Sequence, residues 1–282
     1  METKLNVKIL SHTINPELTI ATAGKLCYSP SNIEDLREKQ TDESVERFIK
    51  MITDIGHGSV LEHCSFTFGI EGVSRSLTHQ LVRHRIASHS QQSQRYVKEN
   101  QFEYVVPDDI KKDESLYNSY EQYMVDLQNG YDAIVDKLMY NYLFDNNYAN
   151  ILYHELKRLK IDIEEFLGWK NNLYDGLSSL KVEYKQLYSS LEKRAIENAR
   201  YVLPNACETK IIVTMNLRSL INFCNHRCCR RAQDEINQLA WAMVEEVEKI
   251  SPLLAKCLGA TCQFGKCGEG AFSCGRPYPK KK

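Results

Sequence analysis

The chain has 282 residues, a net charge of −1, 43% hydrophobic and 26% charged residues. That mix suits a soluble globular protein with a sizeable core and excludes a low-complexity chain; near-zero charge gives no global pull toward nucleic acid or a membrane surface. No run approaches the roughly 20 apolar residues of a membrane span, and METKLNVKIL lacks a secretory layout, so a cytoplasmic protein without a membrane partner is expected. Its ten cysteines then read as reduced thiols or metal ligands rather than disulfides.

Residues 4–10 predict an opening strand, and an apolar stripe after Pro16 (Leu18, Ala21, Leu26) predicts a helix. Val45, Phe48, Ile49 and Ile52 recur at helical spacing over 43–55, with Gly56 and Gly58 closing the run. Cys64, Phe66, Phe68 and Ile70 alternate with polar or small residues, as in a half-buried strand. Val73, Leu77 and Leu81 at four-residue steps predict a helix over 73–84. From about 113 to 200 the chain holds no proline and reads as two or three helices, an insertion into the domain. A buried strand is expected at 208–216, then helices at 216–229 and 234–250. Residues 1–250 are thus expected to form one domain with its insertion at about 113–190. The tail, 251–282, is rich in Cys and Gly, so its order must come from something other than an apolar core.

Two windows lack acids. From Gly72 to Lys98 there is no Asp or Glu, but there are Arg75, Arg83, Arg85, Arg95, Lys98 and three histidines. From Thr209 to Gln233 the same holds, with Lys210, Arg218, His226, Arg227, Arg230 and Arg231. In a nearly neutral chain such windows make local anion sites, and the arginine fork matches phosphate oxygens in pairs. Solvated helix faces or nucleic-acid contacts would explain an ordinary basic window. Here Gln80, Arg83 and His84 fall at i, i+3, i+4 beside apolar Leu77 and Leu81, and Arg218, Asn222 and Asn225 form a second polar stripe. Ser93 and Arg95, if extended, point the same way. The residues alone therefore indicate a protein for phosphorylated small molecules.

The segment RHRIASHSQQSQRY (83–96) resembles the RHRxxSxxxxSxRY signature of flavin-dependent thymidylate synthases, matching at Arg83, His84, Arg85, Ser88, Ser93, Arg95 and Tyr96. GHGSVLEHCSFTF (56–68), ARYVLP (199–204) and NLRSLINFCNHR (216–227) are similar to further segments of that family. The resemblance implies an α/β fold, an antiparallel sheet flanked by helices, here with an extra helical insertion. It implies reductive methylation of dUMP to dTMP, with methylenetetrahydrofolate as carbon donor, FAD as hydride carrier, NADPH as reductant, and a homotetramer sharing its sites. It assigns flavin contacts to His57, Ser59, Glu62, Arg83, His84, Arg85, Asn216, Arg218 and Asn222. It assigns dUMP contacts to Gln80, Gln91, Ser93, Arg95, Arg200 and Arg227, and catalysis to Arg227, Ser93 and His57. His57 and Tyr96 are expected where folate or nicotinamide approaches. Many relatives carry Asn-Glu where this chain has Ser90-Gln91, so no acid/base role is placed on Gln91. Arg231 stands where some relatives have a histidine on the flavin side.

Simpler roles compete with some of these. Glu62 could pair with an arginine, Ser88 could stabilise a turn and Asn216 could cap a helix. Cys207 follows a Leu-Pro stretch, as does the nucleophile of flavin-free thymidylate synthases, but with nothing else of that pattern present it reads as a structural thiol. Cys257, Cys262, Cys267 and Cys274 are spaced C-x4-C-x4-C-x6-C, so a structural zinc in the tail competes with a flexible tail of reduced thiols. A nucleic-acid module or a flavoprotein acting on another acceptor are the rival functions.

Overall fold

The computed structural model describes residues 1–95, 101–171 and 176–281. In chain order it begins with β1 (Asn6–His12), α1 (Pro16–Leu26), α2 (Ile33–Glu38), α3 (Asp42–Asp54), β2 (Ser65–Ser74), α4 (Arg75–Leu81) and β3 (Ser88–Gln91). Six helices follow: α5 (Asp108–Lys111), α6 (Glu114–Phe144), α7 (Ala149–Arg158), α8 (Ile163–Asn171), α9 (Gly176–Glu183) and α10 (Lys185–Ala199). The chain closes with β4 (Glu208–Asn216), α11 (Leu217–Arg227), α12 (Asp234–Ile250) and α13 (Pro252–Ala255). It divides into two compact units, residues 3–92 with 208–282, and residues 1–2 with 93–207.

The first of these, the sheet unit, holds a four-stranded antiparallel sheet in the order β1-β2-β4-β3. This is the predicted α/β class. Alternation decides which side of the sheet is covered. Phe66, Phe68 and Ile70 of β2 and Ile211, Val213 and Met215 of β4 are buried. They join one core with Leu217, Leu220 and Phe223 of α11 and Ile236, Leu239, Met243 and Val247 of α12. On the strands' other face Leu10 and Ile212 stay exposed, as in a sheet packed on one side.

β2 runs to Ser74, four residues beyond the predicted strand, so Val73 belongs to the sheet and not to a helix. The break lies at Gly72, where the β2–β4 register shifts between Ile70 and Val73. Gly72 has φ +70°, and a Cβ there would meet the Lys4 carbonyl oxygen at 1.9 Å, so only glycine serves this bulge. Ser74 then caps α4 by accepting the Leu77 N–H, and half-buried Glu235 accepts from both the Ser74 N–H and its hydroxyl. α4 ends at Leu81, three residues earlier than expected. The bonds Arg83 N–H to Gln80 O and His84 N–H to Leu81 O tighten the chain into i→i−3 turns. Arg83 and His84 therefore leave the helix face they were expected to share with Gln80.

In the helical unit, Asp113 caps α6, and Tyr131, Val135, Met139 and Tyr142 form its buried stripe. Leu152, Leu156, Phe166, Leu187 and Leu191 pack with it. Between 113 and 200 the described residues form five helices rather than two or three. The chain breaks without proline: Lys160 takes a left-handed φ of 56°, and the Asp145 and Asp162 carboxylates accept the N–H groups that open the next turns. Cys207, 1% exposed, sits among Phe102, Tyr104, Val106 and Met124.

The tail is not apart from the core. Leu254, Leu258 and Ala260 are buried in the sheet unit's core, which corrects the expectation of a tail without apolar anchors. Beyond Ala260 the expectation holds, because residues 264–277 contain no buried side chain.

Candidate active site

A pocket of about 590 Å³ lies in the sheet unit, lined by Glu62, Arg83, His84, Arg85, Ile86, Asn216, Arg218, Ser219 and Asn222. Seven of the nine predicted flavin residues are in this lining. The remaining two, His57 and Ser59, flank Gly58, against which the Arg218 side chain lies: a Cβ on Gly58 would stand 3.3 Å from Arg218 Nε. Three segments build the wall: the 3₁₀ turn Ser59–His63, the turn after α4 and the start of α11. β2 and β4 bring the first and last together, since Ser65 is opposite Asn216 in register.

Asn216 caps α11, its Oδ1 accepting the Ser219 N–H at 2.8 Å, so a helix N-terminus faces the pocket. Arg218 donates to the Glu62 carboxylate at 2.5 Å. Glu62 does pair with an arginine, then, and it does so inside the pocket wall. Arg83 and Arg85, among the described residues, pair with no carboxylate. The pocket therefore carries net positive charge, with three arginines against one acid.

Beside it is a second polar cluster. Arg227, the last residue of α11, donates from Nε to His84 Nε2 at 3.1 Å and from a terminal nitrogen to Gln80 Oε1 at 3.4 Å. Burial, Arg227 and nearby histidines push the His84 pKa down to about 4, so the ring is neutral at pH 7. Since Nε2 accepts, Nδ1 carries the proton and is the ring's donor. Its edge packs on Phe223, with centroids 4.9 Å apart. Burial and the neighbouring Arg83 lower the Arg227 pKa, yet a guanidinium stays charged. Sequence reasoning missed Phe223, Ser219 and Asn237. Asn237 Nδ2 holds the turn after α11 through the Arg227 and Cys229 carbonyls at 2.7 and 3.1 Å. A lone Asn between Ile236 and Leu239 was its available signal.

The predicted dUMP residues fall in both units. Gln80, Gln91 and Arg227 belong to the sheet unit, and Ser93, Arg95 and Arg200 to the helical unit. Gln91 Nε2 donates to the Thr78 and Thr209 hydroxyls, which commits its donors to protein partners. Ser93 and Arg95 are not extended: Ser93 Oγ accepts the Arg95 N–H in a tight turn, because β3 ends at Gln91. Arg95 pairs with Glu197 at 3.0 Å, and Arg200 lies over the Tyr201 ring. Ser88 opens β3 opposite Thr214 rather than stabilising a turn. Tyr96 and Lys98 lie outside the described residues.

Arg231 donates to the Phe272 carbonyl and lies over the Phe272 ring, while Arg230 stacks on Tyr278 at 4.2 Å. Both arginines contact the tail. Of the four cysteines expected together, Cys262, Cys267 and Cys274 line one cavity and Cys257 lines another. Among the described residues no three His, Cys, Asp or Glu side chains are arranged to hold a metal ion, and no helix is long and apolar enough to cross a membrane.

Fold and pocket together define an α/β protein with a preformed cationic pocket. The family model described as thymidylate synthase complementing protein matches residues 8–253. Two curated relatives, each called flavin-dependent thymidylate synthase, come from Clostridium tetani (46% identity, covering 99% of this chain and 96% of the relative) and Geobacter sulfurreducens (39%, 99% and 97%). The chain belongs to the flavin-dependent thymidylate synthase family. Its fold is also similar to the crystal structure of a UMP/dUMP methylase from Streptomyces cacaoi bound with 5-Br dUMP, at a TM-score of 0.58 and 20% identity, covering 91% of this chain and 95% of that one.

Proposed function

We propose that this protein methylates dUMP reductively to dTMP, with methylenetetrahydrofolate as carbon donor, FAD as the bound hydride carrier and NADPH as reductant. The observation that carries the reading is the cationic pocket, in which residues from three distant segments converge as the family resemblance requires. FAD would fit the donor set. Arg83 and Arg85, free of carboxylate partners, and the α11 N-terminus offer charge and N–H donors for a pyrophosphate, and the neutral His84 still offers its Nδ1–H. When bound, FAD supplies the hydride chemistry.

The chain's own residues do the rest. Arg227, fixed by His84 and Gln80, offsets negative charge that develops on the uracil ring, and its part-buried setting strengthens that effect. Glu62 keeps Arg218 in one orientation, and Asn237 keeps the backbone of Arg227 in place. Ser93, Arg95 and Arg200 are the proposed phosphate contacts; Arg95 would exchange Glu197 for substrate. His57, next in the chain to Gly58 against which Arg218 lies, is proposed on the side where folate or nicotinamide enters. Gln91 is proposed as an uncharged substrate contact through its carbonyl oxygen. Cys207 takes no part, and its burial supports a structural thiol. The two units would act as one catalytic domain within a cytoplasmic homotetramer, and the bare sheet face with Leu10 and Ile212 supports the assembly.

The test is direct. The purified protein should carry or take up a yellow flavin, and its NADPH oxidation should rise when dUMP is added. A protein that cannot be loaded with FAD would sink the reading. A yellow protein indifferent to dUMP would mark an oxidoreductase with another acceptor.

A further inference from the structure

The tail from Leu254 onward lies beyond the residues that match the family model, and no step proposed above uses it. It nevertheless touches the end of the helix that carries Arg227. A helix leaves its last carbonyls without partners inside the helix, so its final turn frays unless other groups bind them. α11 ends at Arg227, and its last carbonyls are met from elsewhere. The Thr261 hydroxyl donates to Asn225 O at 3.3 Å, and Asn237 Nδ2 donates to Arg227 O at 2.7 Å. One donor belongs to the tail and the other to α12.

The turn that follows is gripped by rings. Arg230 stacks on Tyr278 at 4.2 Å, and Tyr278 packs edge-on against Trp241 of α12, with centroids 5.3 Å apart. Both rings are part-buried against the sheet unit's core, so the Arg230 guanidinium rests on a packed platform. A cation over an aromatic face is drawn to it by the ring quadrupole. Arg231 adds a second grip through the Phe272 ring and carbonyl. The tail is also closed on itself. The Lys281 N–H donates to Gln263 O at 3.1 Å, Lys280 Nζ to Cys262 O at 3.0 Å, and Lys281 Nζ to Ala255 O at 3.1 Å. Beyond Ala260 its order therefore comes from backbone closure and cation–ring contacts.

We propose that the tail positions Arg227, with Thr261, Phe272 and Tyr278 fixing the helix end and the turn that carry this guanidinium; the proposal rests on the reaction proposed above. The contacts of Arg227 itself show why support is needed. Its bonds to His84 and Gln80 are 3.1 and 3.4 Å, the second long for a hydrogen bond, so its side-chain partners alone hold it loosely. The main chain must supply the remaining precision. A reacting group misplaced by about 1 Å can cost about 10²-fold in rate. Thr261, Phe272 and Tyr278 are positioning residues and act only through the end of α11.

The first test uses the full chain and needs no activity. Tyr278→Ala should speed hydrogen exchange of the Cys228 and Ala232 amides, which bond Cys224 O and Cys229 O, and leave β2 and β4 unchanged. Tyr278→Phe, which keeps the ring, should match wild type. Arg230→Ala breaks the same stack from an exposed residue and should act like Tyr278→Ala, even where the latter fails to fold. In flavin-loaded protein, turnover of dUMP by either alanine variant should fall about tenfold with flavin affinity kept. In an Arg227→Ala background the same changes should cost less than about twofold, because their target is gone. Unchanged exchange in both alanine variants overturns the proposal, as does full turnover in both. Equal losses with and without Arg227 also overturn it, since they mark a general structural effect. So does a Tyr278→Phe protein as slow as Tyr278→Ala. Wild-type protein inert to dUMP would instead sink the proposed reaction, and the exchange result would still decide whether the tail holds this turn.

Discussion

The two units treat their arginines differently. In the helical unit the protein supplies the counter-charges: Arg95 meets Glu197, and Arg158 meets Glu155, which Ser190 also holds. In the sheet unit, among the described residues, Arg83 and Arg85 line a pocket without pairing with a carboxylate, and Arg227 bonds the neutral groups His84 and Gln80. Arg83 acts on Arg227 as a like charge, a repulsion that a bound anion would offset. On the proposed reading, the sheet unit keeps its positive charge for a ligand, whereas the helical unit meets its arginines from within.

The sharpest way to break that comparison is Arg227→Ala. On the proposed reading its turnover should fall by about 10²–10³-fold while flavin still binds, as measured by single-turnover kinetics on flavin-loaded protein. An equal effect on flavin loading would place Arg227 in cofactor binding instead. Next comes the pair Arg83→Ala with Arg85→Ala. Losing two charge-assisted contacts should weaken FAD binding by roughly 10–100-fold or more and flatten its salt dependence in a fluorescence titration. Unchanged affinity would mean the unpaired charges serve something else.

In the helical unit the effect should be smaller and should fall on KM. Arg95→Ala is expected to raise the KM for dUMP by about tenfold with kcat nearly kept, since one exposed phosphate contact is lost. Glu197→Ala, which releases Arg95, should leave that KM unchanged or lower it. His84 sharpens the comparison through pH. Its folded pKa of about 4 lies below the ordinary 6.5, so the unfolded chain binds its proton first as pH falls. Its contribution to stability is complete above about pH 6.5 and declines from there toward pH 4. Melting temperatures of wild type and His84→Gln should therefore converge over that interval, and a constant difference would contradict the neutral ring. The smallest effect is expected for Cys207→Ala, which should keep turnover within a few-fold and lose modest stability from its packed site.

How much of this was legible in the sequence varied with how local each signal was. β4, α11 and α12 fall within two residues of their predicted bounds, since strict alternation, a capping Asn216 and a regular apolar stripe all act within a few residues. β3 was not legible, because a four-residue strand of Ser, His and Gln exists only through its pairing with β4, more than a hundred residues away. The start of α4 was missed because Val73 fits a helical stripe as well as a strand, and the bulge at Gly72 decides between them. Seven of the nine residues assigned to the flavin line one pocket, yet the geometry assumed for Gln80, Arg83 and His84 was wrong. Gln80 and His84 meet through Arg227 rather than along one helix face. That Cys229 shares a cavity with Cys262, Cys267 and Cys274 was not legible from spacing, since only the folded tail brings them to one wall.

The account stands most directly on product formation by flavin-loaded protein given dUMP, methylenetetrahydrofolate and NADPH together. It predicts that dTMP appears in proportion to dUMP consumed, that each omission stops it, and that Arg227→Ala forms it at least about a hundredfold more slowly. Flavin-loaded wild-type protein that oxidises NADPH but leaves dUMP unchanged in the complete mixture would contradict it.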